Sequence, residues 1–191
     1  MSTAYRQEKQ LIIEAGRRLW QRGMVAANDG NISCRVPGGY LITRSGVSKG
    51  FMSEADILVL DEQGKTLGDG PGQPSSETAM HLGIYQARPH TGAIVHAHPP
   101  YATAFALAGV DINQAQLEEL RIQLGQVAMI AYAPAGTAEL AQAASAAMAD
   151  KRAGLLLRHG AIAAGADLNE AFYRLEALEQ AAKIIWLSRQ L

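Results

Sequence analysis

The sequence predicts an α/β fold of stacked helix and sheet layers, with a mixed or antiparallel sheet. Three observations lead there. Amphipathic helical patterns stand at both ends of the chain. Short apolar runs bounded by glycine, proline and asparagine lie between them. The early runs are joined by tight turns and the later ones by helical segments, which argues against a doubly wound parallel sheet. With 191 residues and 48% apolar content, the chain suits a single domain, 1–191, large enough to bury a core. No internal repeat or dividing linker is visible.

The first helix is expected from about Thr3 to Arg22. Leu11, Ile12, Ala15, Leu19 and Trp20 share one face, and Gly23 is a stop signal. Asn28-Asp29-Gly30-Asn31 reads as a turn entering a strand over Ile32–Val36. Pro37-Gly38-Gly39 closes a hairpin to Tyr40–Thr43, and Ser45–Gly50 is a second loop. Ile57–Leu60 is a strand turned at Asp61–Gly64, and the glycine- and proline-rich stretch 68–74 is a loop. A helix is expected to begin at Ser75 or Ser76 and run to about Arg88. A strand at 93–98, a helix near 101–108 and a strand near 127–131 follow. Next come a helix at Thr137–Met148 and a strand at 154–158. The last helix, about Leu168–Leu187, places Leu168, Phe172, Leu175, Leu178, Ala182 and Ile185 at helical spacing.

Charge and cysteine content narrow the partners. A net charge of −1 gives no reason to expect nucleic acid or a charged membrane surface. The single cysteine, Cys34, excludes an internal disulfide and is in keeping with the reducing cytoplasm, where the protein is expected. Met1–Gln10 lacks the apolar core of a signal peptide, and no apolar run approaches the ~20 residues of a membrane span.

The chemistry concentrates in Glu77, His96, His98 and His159. In a strand, side chains two apart share a face, so His96 and His98 are able to bind one ion together. The same spacing fits two hydrogen-bonded histidines on a polar strand face. His159, ending the run Leu155-Leu156-Leu157-Arg158-His159, fits a satisfied buried histidine. It also supplies a third imidazole, and three protein ligands with an open position is the pattern of a catalytic metal. Glu77 falls in the first turn of a helix, where a carboxylate is favoured by the helix N-terminus, or it is a ligand and general base. His81, one turn (~5.4 Å) further along that helix, reads as a supporting or core residue. His90 reads as a solvated surface residue. Ser75 and Ser76 suit capping, and equally an anion site at a helix N-terminus. Asn31 and Ser45-Gly46 are ordinary turn chemistry one by one. Beside a metal, these small donors suggest a bound phosphate.

At these residues the chain resembles the class II aldolase/adducin family. The resemblance rests on Asn28-Asp29-Gly30-Asn31-Ile32-Ser33, Ser45-Gly46, Pro74-Ser75-Ser76-Glu77, His96-Ala97-His98-Pro99 and Arg158-His159-Gly160, in that order across nearly the whole chain. It implies a three-layer α/β sandwich, a central largely antiparallel sheet flanked by helices. It also implies a zinc ion, with another divalent transition metal as the alternative, and a homotetramer with active sites between subunits. It assigns His96, His98 and His159 to the metal, and Glu77 to the metal and to proton transfer. Asn31, Ser45, Gly46, Ser75, Ser76 and Asn28 fall at its phosphate-binding positions. All are present, so catalysis is expected, not a metal-free adducin-like module.

Within that family, Glu77 in place of an aspartate and Pro99-Pro100 in place of a serine lean towards the aldolases and away from epimerases, dehydratases and decarboxylases. The resemblance thus implies zinc-assisted, reversible cleavage of a ketose 1-phosphate, similar to L-fuculose 1-phosphate, to dihydroxyacetone phosphate and a small aldehyde. The alternative is a dehydratase or decarboxylase of the same family. A tyrosine that the fuculose-phosphate aldolases place between the His-x-His and the next strand has no match in Asn113–Gln126, where Leu117 stands nearest. A second, in the family's C-terminal tail, has no match before Leu191. Tyr101 and Tyr132 are substitutes for the acid, although both also suit packed aromatics.

Overall fold

The computed structural model describes residues 5–68, 72–114 and 117–191. It contains one eight-stranded sheet in the order β4-β3-β2-β1-β5-β8-β7-β6, antiparallel throughout except for the β6–β7 pair. Its strands are β1 Asn31–Val36, β2 Gly39–Thr43, β3 Ile57–Asp61, β4 Thr66–Leu67, β5 Ala93–Ala97, β6 Ala128–Ile130, β7 Ala153–Leu156 and β8 Gly160–Gly165. The helices are α1 Arg6–Gln21, α2 Thr78–Ala87, α3 Pro100–Ala108, α4 Glu118–Leu124, α5 Ala138–Ala147 and α6 Leu168–Ser188.

Alternation along the strands sorts side chains into two cores. Leu41, Val95, Ala161 and Ala163 join residues of α1, α3, α4 and α6 on one face. Tyr40, Ile42, Ile94, Ile162 and Ala164 join α2 and α5 on the other. The result is the three-layer sandwich expected. The strand β1 shows the logic: Ile32, Cys34 and Val36 enter the first core, so Asn31, Ser33 and Arg35 face α2.

The sequence boundaries need five corrections. The first helix begins at Arg6 among the described residues; Thr3 and Ala4 lie outside them. The helix expected from Ser75 or Ser76 begins at Thr78, with Glu77 as its N-cap. The Ser75 carbonyl accepts from both N–H and Oγ1 of Thr78, which makes a turn of the segment before it. The run ending at His159 stops at Leu156, and His159 sits in the β7–β8 turn because Arg158 takes a positive φ of 60°. His98 lies one residue past β5, its N–H bonded to the Met24 carbonyl. Finally, β4, β8 and α4 were not foreseen. β8 is an alanine- and glycine-rich strand, and β4 and α4 are short, so each lacks a strong periodic signal. Part of the expected 68–74 loop, residues 69–71, lies outside the described residues, as do residues 115 and 116 of the tyrosine-free segment.

Candidate metal centre

Antiparallel pairing brings the site together. The start of β1, the end of β5 and the start of β8 meet at one end of the sheet: Asn31 is paired with His96, and His96 with Ile162. The β7–β8 turn delivers His159 there, and the N-terminus of α2 delivers Glu77. Ligand nitrogens of His96, His98 and His159 lie within 4.8 Å of one another. Gly160 makes this packing feasible. A Cβ on it would stand 2.6 Å from both the Ala97 carbonyl oxygen and Cδ2 of His98.

Polar contacts orient the rings of His96 and His98. His96 donates from Nδ1 to the Ala161 carbonyl at 2.9 Å, leaving Nε2 bare. His98 turns Nδ1 to Asp29 Oδ2 at 3.4 Å and Nε2 to His96 Nε2 at 3.2 Å. Glu77 Oε2 is 3.1 Å from His96 Nε2, and Oε1 is 3.5 Å from His159 Nε2. His96 and Glu77 are buried, and Oε1 has no hydrogen-bond partner among the described residues.

This is a set of acceptors facing one another. A single proton satisfies one of these contacts; a cation at their centre satisfies all. Two nitrogens on a tetrahedral zinc with ~2.0–2.1 Å bonds lie about 3.3 Å apart, close to the 3.2 Å between Nε2 of His96 and Nε2 of His98. The residues therefore fit a divalent metal. Burial, with the adjacent His96 ring, lowers the pKa of His159 to about 4 and also depresses that of His98, which favours the neutral, ligand-competent form of both. Burial disfavours a charge on Glu77, but His96 and the Asn31 amide outweigh it and hold the carboxyl well below its usual range.

Behind Glu77 runs a buried polar chain. Asn31 Nδ2 donates to Glu77 Oε2 at 2.9 Å, so its Oδ1 must accept, and His81 Nε2 donates to it at 2.6 Å. Burial lowers the His81 pKa to about 3, so the ring is neutral and its Nδ1 accepts from Ser33 Oγ at 2.7 Å. Ser33 in turn accepts from Tyr85 at 2.8 Å. His81 is thus the supporting residue expected. Ser33, Tyr85 and Asp29 were not foreseen. The polar alternation of β1 signals Ser33 once α2 is known to cover it.

The expected phosphate residues divide. Ser45, Gly46, Ser76 and Asn28 are exposed and Ser75 is buried. Ser45 N–H bonds the Gln73 carbonyl at 2.9 Å and Ser75 N–H the Thr43 carbonyl at 3.2 Å, so their two segments lie side by side. Asn31 differs: both ends of its amide are committed to Glu77 and His81. His90 is exposed. Leu117 lines a cleft of ≈590 Å³ between α4 and α6 that includes none of the site histidines. Tyr101 packs on Trp186 as an aromatic should, whereas Tyr132 is exposed beneath the Arg158 guanidinium.

Fold and site together define an α/β domain with a three-histidine, one-carboxylate centre at one end of an antiparallel sheet. Residues 10–186 match the family described as Class II Aldolase and Adducin N-terminal domain, and the chain belongs to that family. It is 37% identical over 166 residues to L-fuculose phosphate aldolase of Methanococcus vannielii, covering 87% of this chain and 88% of that one. It is 36% identical to 5-methylthioribulose-1-phosphate/5-deoxyribulose-1-phosphate aldolase of Rhodospirillum rubrum, covering 94% and 80%. Relatives with other activities stand nearly as near. Methylthioribulose-1-phosphate dehydratase of Gluconobacter oxydans is 35% identical, covering 88% and 86%. 3-Oxo-tetronate 4-phosphate decarboxylase of Haemophilus influenzae is 34% identical, covering 94% and 87%. A solved L-fuculose 1-phosphate aldolase superposes with a TM-score of 0.88 at 35% identity, covering 100% of this chain and 89% of that one.

Proposed function

We propose that this protein is a metal-dependent aldolase that reversibly cleaves a ketose 1-phosphate to dihydroxyacetone phosphate and a small aldehyde. The placement of Glu77 carries the reading: a buried, charged carboxylate 3.1 Å from His96, with one oxygen tethered and the other free. His96, His98 and His159, with Glu77, would hold a divalent ion, and zinc suits three imidazoles. Such an ion supplies Lewis-acid polarisation of the substrate's carbonyl and hydroxyl oxygens. Glu77 is the acid and base that moves the proton at the carbon beside the carbonyl. Its Oε1 swings to the substrate without breaking a hydrogen bond, while Asn31 retains Oε2. Ser45, Gly46, Ser75, Ser76 and Asn28 receive the phosphate at the mouth. Asn31 serves by holding Glu77.

The second reading, a sugar-phosphate dehydratase or decarboxylase, is favoured by the relatives that carry those names. Product identification separates the two. Zinc-loaded protein should condense dihydroxyacetone phosphate with lactaldehyde, glycolaldehyde or glyceraldehyde. Failure with all three, alongside loss of water or carbon dioxide from a phosphorylated substrate, overturns the aldolase reading in favour of the second.

A homotetramer with sites between subunits belongs to this proposal. Exposed Trp20, Phe51, Leu107 and Trp186 support an assembly that covers apolar surface; sedimentation reads the state. A cytoplasmic location is likewise proposed, supported by the buried free thiol of Cys34. No helix of the described residues is long and apolar enough to cross a membrane.

A further inference from the structure

Lys49 opens a short 3-10 turn, Lys49–Phe51, and is 2% exposed. Its Nζ donates to the carbonyl oxygens of Val47 at 2.7 Å and Asn28 at 3.0 Å. Among the described residues it forms no ion pair. Asp29, the acid whose charge it feels, is turned to His98, and the neighbouring cation Arg44 is paired with Asp56. Burying an ammonium without a bonded carboxylate is costly, so its retention calls for a gain elsewhere.

The two carbonyls belong to different loops. Asn28 lies between α1 and β1; Val47 follows Ser45-Gly46 after β2. The second loop is already fastened to the segment before α2, by Ser45 to Gln73, Ser75 to Thr43 and the Arg44–Pro74 bridge. The Lys49 ammonium therefore ties the first loop to the other two. The residues gathered in this way are those to which the phosphate was assigned above.

We infer that Lys49 is a positioning residue for the substrate's phosphate: it holds the loops of Asn28 and Ser45-Gly46 together, and its uncompensated charge selects a phosphorylated substrate over the neutral sugar. This rests on the proposed phosphate site. Burial lowers the lysine's pKa to about 8, and an arriving phosphate dianion would favour its charged form again.

The test compares Lys49→Met with wild type on a ketose 1-phosphate and on the same ketose without phosphate. The expected result is a KM for the phosphorylated sugar raised by about 10- to 100-fold, with kcat, metal content and turnover of the free ketose little changed. Equal losses on both sugars, or no loss, overturn the inference. A wild type that shows no preference for the phosphorylated sugar overturns the phosphate reading itself. Should the variant not fold, wild-type protein labelled with 15N at lysine Nζ is titrated with inorganic phosphate. The Lys49 resonance is expected to shift with the same saturation as phosphate inhibition; a resonance unmoved at saturation contradicts the role.

Discussion

Asn31 on β1 and Glu77 at the N-cap of α2 are joined by a 2.9 Å hydrogen bond from Nδ2 to Oε2. The bond's direction is fixed from behind, since His81 donates to the other end of the same amide. Glu77 is thereby held as a charged group with one oxygen tethered. Asn31→Ala should lower kcat by about 10- to 100-fold with a small change in KM, the value of one hydrogen bond to a charged group. Steady-state kinetics checks it. A raised KM with unchanged kcat would return Asn31 to direct phosphate binding.

Replacing the carboxylate itself should be more severe. Glu77→Gln keeps the shape and the Asn31 contact but removes the base, and a loss of about 10²- to 10⁴-fold in kcat is expected. Metal analysis of the same sample should still find the ion, held by His96, His98 and His159.

Gly160 is a steric prediction. An added Cβ would press on the Ala97 carbonyl and the His98 ring, each at 2.6 Å, and the backbone partner is unable to yield cheaply. Gly160→Ala should cost about 1–3 kcal/mol in urea unfolding and weaken metal retention, because His98 must move.

His81 sets an acid limit on stability. Its folded pKa, about 3, lies below its ordinary value of 6.5 because the ring is buried. Between those values the unfolded chain binds a proton that the folded chain refuses. Stability from this group is therefore present above about pH 6.5 and is lost as pH falls towards 3, at about 1.4 kcal/mol per pH unit. Unfolding followed from pH 7 to 4 should show this slope, and His81→Gln should reduce it by about one proton.

Much of this was legible in the sequence. Long periodic helices and the β1–β2 hairpin were read from spacing and composition, while the four ligand-type residues stood out by residue type and took their roles from the family resemblance. What escaped depends on contacts across elements. Asn31 looks like a turn donor until β1 is laid under α2, when its amide is seen to be spent on Glu77. Ser33 and Tyr85 likewise carry no signal until β1 is laid under α2 and their hydroxyls meet. The Ser75 start for α2 was misplaced because a turn built on the Ser75 carbonyl resembles a cap in sequence. Lys49 looked like a loop lysine, and only its burial between two carbonyls distinguishes it.

The central claim is that His96, His98, His159 and Glu77 form a working metal site, and elemental analysis joined to activity tests it most directly. Purified wild type should carry close to one divalent transition metal per chain. His96→Ala should lose that metal and its sugar-phosphate cleavage together while remaining folded. A wild type that cleaves its substrate without metal, and is indifferent to chelator, would contradict the account.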